Sequence, residues 1–193
     1  MFNKKINIKK EVVEAELTKL RKLYNNRKLS LKNINQSSHP FNCWGFIAFI
    51  FKWLPHLEWF YNSKMEYCLA KFTKLAKRPK VGDIVVMRTF WSTLEHTAVL
   101  VDVKKMKIIH KPGGCKLEVN DLDNIIKLYG NIDKIEFRRA LPNKKFDMDK
   151  FIESNFNKQK NKNYYAWQLS RKTIYLSIKF IVEKTMIKNE SYW

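Results

Sequence analysis

Three residues in this chain have the types and the spacing for nucleophilic chemistry: Cys43, His96 and His110. Cys43 follows Asn42 at the head of an apolar run, CWGFIAFIF. If Asn42 caps a helix there, the thiol meets unpaired backbone N–H groups and the positive end of the helix dipole. Such a setting lowers a thiol pKa from about 8.5 and makes thiolate available at neutral pH. A cysteine nucleophile also needs a base, and the base needs an orienting partner. His96 opens one β-branched run, HTAVLV, and His110 closes the next, KIIH. Paired as an antiparallel hairpin, the two imidazoles fall at the same end of a sheet. His96 would then stand beside the thiol, with His110 on its second ring nitrogen. The plain alternative is a thiol that only packs, as most free cysteines do.

The remaining candidates are weaker. His39 precedes the thiol closely enough to line the same cleft, whereas His56 follows Pro55 and reads as a surface residue. Cys68 lies in an apolar helix and Cys115 follows a Gly-Gly turn, so both read as structural. Three cysteines without a CxxC pair argue against a disulfide framework and against a zinc site. No metal or cofactor is expected. Trp44 and Trp91 are candidates for the walls of a cleft, and RTFWSTLE, which carries Trp91, is a loop that could cover a substrate.

These residues need elements to hold them. Val13, Leu17, Leu20 and Tyr24 recur at helical spacing over residues 9–24. A polar loop follows from Lys28 to Pro40, then a buried helix over 43–54 closed by Pro55, and an aromatic-rich helix over 57–77. The pattern changes at Arg78. Gly82-Asp83 form a turn before IVVMR, and HTAVLVDV, KMKIIHK and CKLEV read as successive strands. Asn120-Asp121 cap a short helix to Tyr129, and IDKIEFRRAL is a last strand ending before Pro142. Helices followed by an antiparallel meander make an α+β fold. Beyond lies a Lys/Asn-rich linker and a helix from Tyr164 to about Ile187 with two apolar faces. The expected organisation is an N-terminal helical segment (1–32), a catalytic domain (33–142), and a basic linker with a C-terminal helix (143–193).

At its candidate residues the chain resembles the NlpC-type, papain-like cell-wall cysteine peptidases. That family typically reads D-C-S-G-[FL]-V at the nucleophile, P-G-D-[LI]-V before a strand, H-V-[GA]-[IV] at the base and [IV]-H-A-P at the third residue. The counterparts here are NCWGFIA, KVGDIVV, HTAVLV and IIHKPGG, in the same order over roughly Ser38 to Leu141. The resemblance implies a papain-like fold with N-terminal helices packed on an antiparallel sheet. It also implies Cys43 as nucleophile, His96 as general base, His110 as orienting residue, and the Cys43 backbone N–H as oxyanion donor. Asn42 stands where the family has Asp, next to the substrate. Trp44 replaces the Ser, giving a C-W-G pattern similar to phage-borne members. Leu31 occupies the region where the family often has Tyr.

The implied activity is hydrolysis of an amide bond in peptidoglycan stem peptides through a thioacyl enzyme. The same residues suit two other functions: acyl transfer or lipid hydrolysis at a membrane surface, and a non-catalytic basic binding module on a peptidase scaffold. Across 193 residues, 38 Lys+Arg face 18 Asp+Glu, a net charge of +20 that favours anionic partners. Peptidoglycan or another anionic polymer fits best. The excess is spread along the chain without an Arg-rich patch, which disfavours nucleic acid. The C-terminal helix offers a contact for a membrane surface or a delivery partner. Residues 1–10 are charged without an apolar core, so no signal peptide is expected, and no run of about 18 apolar residues suggests a membrane span. The protein is expected to be made in the cytoplasm and released or delivered to the wall.

Overall fold

The structure, a computed structural model, describes residues 2–37, 40–113 and 116–155. The expected C-terminal helix, His39 and Cys115 lie outside the described residues. Two compact units divide the chain, Met1–Phe146 and Asp147–Trp193. In the second, residues 148–155 are helical, with Asp147 Oδ1 accepting from the backbone N–H groups of Asp149 and Lys150.

The first unit opens with helix α1 (Phe2–Leu23), whose Val13, Leu17 and Leu20 are buried as their spacing requires. Helix α2 (Leu31–Asn35) interrupts the expected polar loop, because Ser30 caps it by accepting from Asn33 N–H at 3.3 Å. Helix α3 (Cys43–Ile50) is apolar all round and buried on nearly every side, but it ends four residues earlier than expected, at Ile50. Helix α4 (Asn62–Phe72) is likewise shorter than expected. Thr73 turns extended, and strand β1 (Thr73–Leu75) replaces the last helical turn. Its partner supplies the reason. Arg138 Nε donates to Thr73 Oγ1 at 2.7 Å and its Nη2 to Leu69 O at 3.1 Å, a carbonyl at the helix end that also accepts from the Thr73 hydroxyl.

Five more strands follow: β2 (Ile84–Thr89), β3 (Leu94–Asp102), β4 (Lys107–His110), β5 (Glu118–Asp121) and, after helix α5 (Leu122–Tyr129), β6 (Ile132–Ala140). They form one antiparallel sheet in the order β1-β6-β2-β3-β4-β5. The last strand therefore sits between β1 and β2. The sheet is covered on both faces, so β2 and β3 are buried almost throughout rather than alternately. Ile84, Val86, Val99, Val101 and Ile109 pack with residues of α1, α3 and α4. Val85, Met87, Ala98, Leu100 and Ile108 pack with Leu122 and Ile125 of α5.

The Gly82-Asp83 turn ties these layers together. Gly82 has φ +94, and a Cβ there would strike the Tyr24 hydroxyl, which donates to Gly82 O at 2.6 Å. Buried Asp83 takes two hydrogen bonds from Arg139 of β6, each 2.8 Å, and a third from Lys80 N–H. Asp83 is buried and Arg139 partly exposed, and the two charges meet as a fork, which makes the pair directional. No helix among the described residues is long and apolar enough to cross a membrane.

Candidate active site

Asn42 builds the first half of the site. Its Oδ1 accepts from Gly45 N–H at 2.9 Å, capping α3, while its Nδ2 donates to Phe60 O at 2.8 Å. Its amide is thus spent on two backbones, and Asn42 braces the turn that carries the thiol. Cys43 is the first helical residue and is 9% exposed. The N–H groups of Cys43, Trp44 and Thr97 bear on its sulfur and pull the thiol pKa down. Burial outweighs them, and the thiol is pushed up to about 11. The helix-end effect expected from sequence is present but smaller than the desolvation it must overcome. In the resting protein, alkylation by iodoacetamide should therefore rise only as pH approaches about 11. Mass spectrometry across the pH range checks this, and fast labelling near neutrality would contradict it.

The second half lies on β3 and β4. His96 Nε2 is 2.9 Å from His110 Nδ1, with the rings edge to face at 88°. The two imidazoles meet as the hairpin argument requires. The other side of His96 differs from expectation. Its Nδ1 is 3.0 Å from the Tyr129 hydroxyl, and the two rings lie 5.0 Å apart. His96 pairs across the ladder with Met87 and follows the parity of Ala98 and Leu100, all on the α5 face. Thr97, not His96, points to α3 and meets Cys43. The sequence expectation of His96 beside the thiol is corrected here. The ladder is regular from His96 onward and breaks just before it: Met87 pairs with His96 but Arg88 with Leu94, which leaves Glu95 as an extra residue at a bulge. A bulge re-aims the side chains beside it.

Behind His110 the chain of polar groups continues. Asn120 Nδ2 lies 3.1 Å from His110 Nε2 and 2.9 Å from Glu118 Oε2. Of the expected Asn120-Asp121 cap, Asp121 is the N-cap of α5, and it makes no side-chain cap bond. Burial holds His96 neutral down to about pH 3, helped by His110, and His110 neutral down to about pH 4, against the pull of Glu118. Unfolded, both histidines take up protons from about pH 6.5 downward, so stability is full above that and falls as pH drops toward the folded values. The expected loss is about 1–2 kcal/mol per pH unit per histidine between about pH 6.5 and 4. Urea midpoints at about pH 7.5 and about pH 5 test this; equal midpoints would count against it.

The aromatic candidates separate. Trp44 packs against the main core, and its indole nitrogen is buried without a hydrogen-bond partner. Trp91 stands 84% exposed at the tip of the β2–β3 hairpin, edge to face with Phe90. Thr97, Tyr129, Asn120 and Glu118 were not picked out from sequence. The alternation of Glu118 and Asn120 opposite His110 and Ile108 was the available signal. Among the described residues, no group of three or more His, Cys, Asp or Glu is arranged to hold a metal ion.

The sequence model of the NlpC/P60 family matches residues 32–129, just over half of the chain. The chain belongs to the NlpC/P60 family. Searches of curated proteins and of solved structures found no match. The NlpC/P60 span contains Cys43, His96, His110, Asn120 and Tyr129 and stops before β6. The helices and the six-stranded antiparallel sheet agree with the α+β, papain-like architecture of NlpC/P60 proteins, which are typically cell-wall cysteine peptidases or amidases.

Proposed function

We propose that this protein is a cysteine hydrolase that cleaves an amide bond in peptidoglycan stem peptides. The observation that carries the reading is the Cys43 sulfur at the first turn of α3, with three backbone N–H groups bearing on it, inside the NlpC/P60 span. His96 takes the thiol proton, and the sulfur attacks the amide carbonyl carbon. The C–N bond breaks, the amine leaves with the proton from His96, and a thioester remains on Cys43. Water, losing a proton to His96, attacks that thioester, and the acid product and the free thiol result. His110 orients His96, and the Cys43 N–H stabilises the oxyanion. The reading requires His96 to leave Tyr129 and turn toward the thiol. Migration of the Glu95 bulge by one residue, to His96, would re-aim the ring in that way. The net charge of +20 would hold the enzyme on an anionic wall polymer, and the C-terminal segment would meet a membrane or a delivery partner.

A second reading, a basic binding module on this scaffold, is favoured by one observation: both ring nitrogens of His96 are already taken, by His110 and Tyr129. Purified muropeptides separate the two. Fragments released by the wild type, together with a thioacyl adduct trapped on Cys43, support the hydrolase. Uncut muropeptides with retained binding to isolated walls support the module.

A further inference from the structure

The polar chain Glu118–Asn120–His110–His96–Tyr129, buried at its two histidines and half-buried at its ends, has a direction, and the direction can be worked out from the Glu118 end. Asn120 Nδ2 is 2.9 Å from Glu118 Oε2 and 3.1 Å from His110 Nε2. A carboxylate only accepts hydrogen bonds, so the amide must turn its nitrogen toward Glu118, and that same nitrogen faces His110. An amide nitrogen only donates. His110 Nε2 is therefore the acceptor, and neutral His110 carries its proton on Nδ1. That Nδ1 is 2.9 Å from His96 Nε2 and donates to it. Neutral His96 must then hold its own proton on Nδ1, 3.0 Å from the Tyr129 oxygen. His96 and His110 are 1% and 0% exposed, so water does not scramble this order.

We propose that Glu118 and Asn120 are positioning residues that hold His96 and His110 as Nδ1–H tautomers, leaving His96 without a lone pair to receive a proton. Its Nε2 lone pair accepts from His110 and its Nδ1 is already protonated. Turning the Asn120 amide reverses every link. Its oxygen would then require a proton on His110 Nε2, His96 would donate from Nε2 to His110, and the lone pair would appear on His96 Nδ1. That is the state a general base needs. The consequence for catalysis rests on the hydrolase reading; the tautomers themselves do not.

The test is two-bond ¹H–¹⁵N correlation spectroscopy of histidine-labelled full-length protein near neutral pH, which distinguishes the two neutral tautomers. In the wild type, both buried histidines are expected to carry protons on Nδ1. In the double variant Glu118→Gln, Asn120→Asp, which exchanges acceptor and donor in place, both are expected to move to Nε2–H. An Nε2–H tautomer on either histidine in the wild type overturns the proposal, even if the double variant does not fold. So does a folded double variant whose pattern matches the wild type. Muropeptide turnover is measured in parallel. If neither protein cuts, the hydrolase reading fails while the tautomers still decide the proton order.

Discussion

Replacing Cys43 by serine is expected to lower muropeptide cleavage at least about 10³-fold while leaving the fold intact. The expectation follows from what the sulfur does and what surrounds it. Under the proposed mechanism, the sulfur forms and releases the thioacyl bond, so no other group in the site can substitute for it. A serine hydroxyl is a far weaker nucleophile without a strong base, and His96 is a poor one in its resting state. The same exchange is mild for stability. Serine nearly matches cysteine in size, and the N–H groups of Cys43, Trp44 and Thr97 that bear on the sulfur can equally donate to an oxygen. Liquid chromatography of digests, with urea midpoints for both proteins, reads the two effects separately. Equal turnover by the variant would remove Cys43 from the mechanism. A large stability loss would instead mean that the thiol is mainly a packing residue.

Gly45→Val should destabilise the protein by about 3 kcal/mol. Gly45 has ordinary helical geometry, so the argument is one of space. A Cβ there would run into the Glu58 carbonyl, and its next neighbour, the Asn42 amide oxygen, is 3.5 Å away. Neither can yield cheaply. Glu58 is main chain in the segment leading to Phe60, and the Phe60 backbone is held by Asn42. Relieving the clash therefore pulls on the same cap that positions Cys43. For a chain of this length the melting temperature should drop by roughly 6–12 °C. Gly130→Ala provides the contrast. Nothing lies within 4 Å of its Cβ position, and only its φ of +70 resists substitution, at a cost of about 1 kcal/mol. Calorimetry on both variants checks the ranking. Equal shifts would mean that the contact with Glu58 relaxes freely.

Much of the molecule could be read from its residues, and the exceptions have physical causes. Val13, Leu17 and Leu20 gave α1 its buried stripe, and the β-branched runs gave β2, β3 and β4. The meeting of His96 with His110 followed from hairpin geometry alone. The face on which they meet did not. Thr97, Ala98, Val99 and Leu100 are all buried, so the run reads the same whichever way it faces, and alternation cannot orient it. The pairing of β2 with β3 decides it, with Met87 opposite His96 in step with Val85 opposite Ala98. β1 was hidden for a different reason. Residues 73–75 continue a plausible helix, and only Arg138, 65 residues further along, makes the extended form the better one. Asn120 looks like a helix cap in sequence because Asx residues usually are. Its actual partner, His110, is fixed by the pairing of β4 with β5.

The position of β6 has a bearing on how the chain is made. The sheet order brings the final strand between β1 and β2, and Arg138 and Arg139 then lock it to Thr73 and Asp83. A nascent chain that has emerged only as far as α5 thus carries β1 detached and one edge of β2 bare. Pairings so distant in sequence form slowly, since the loop must close before any contact rewards it. Until residue 140 leaves the ribosome, that bare edge is open to other chains, and its burial is a late event in synthesis.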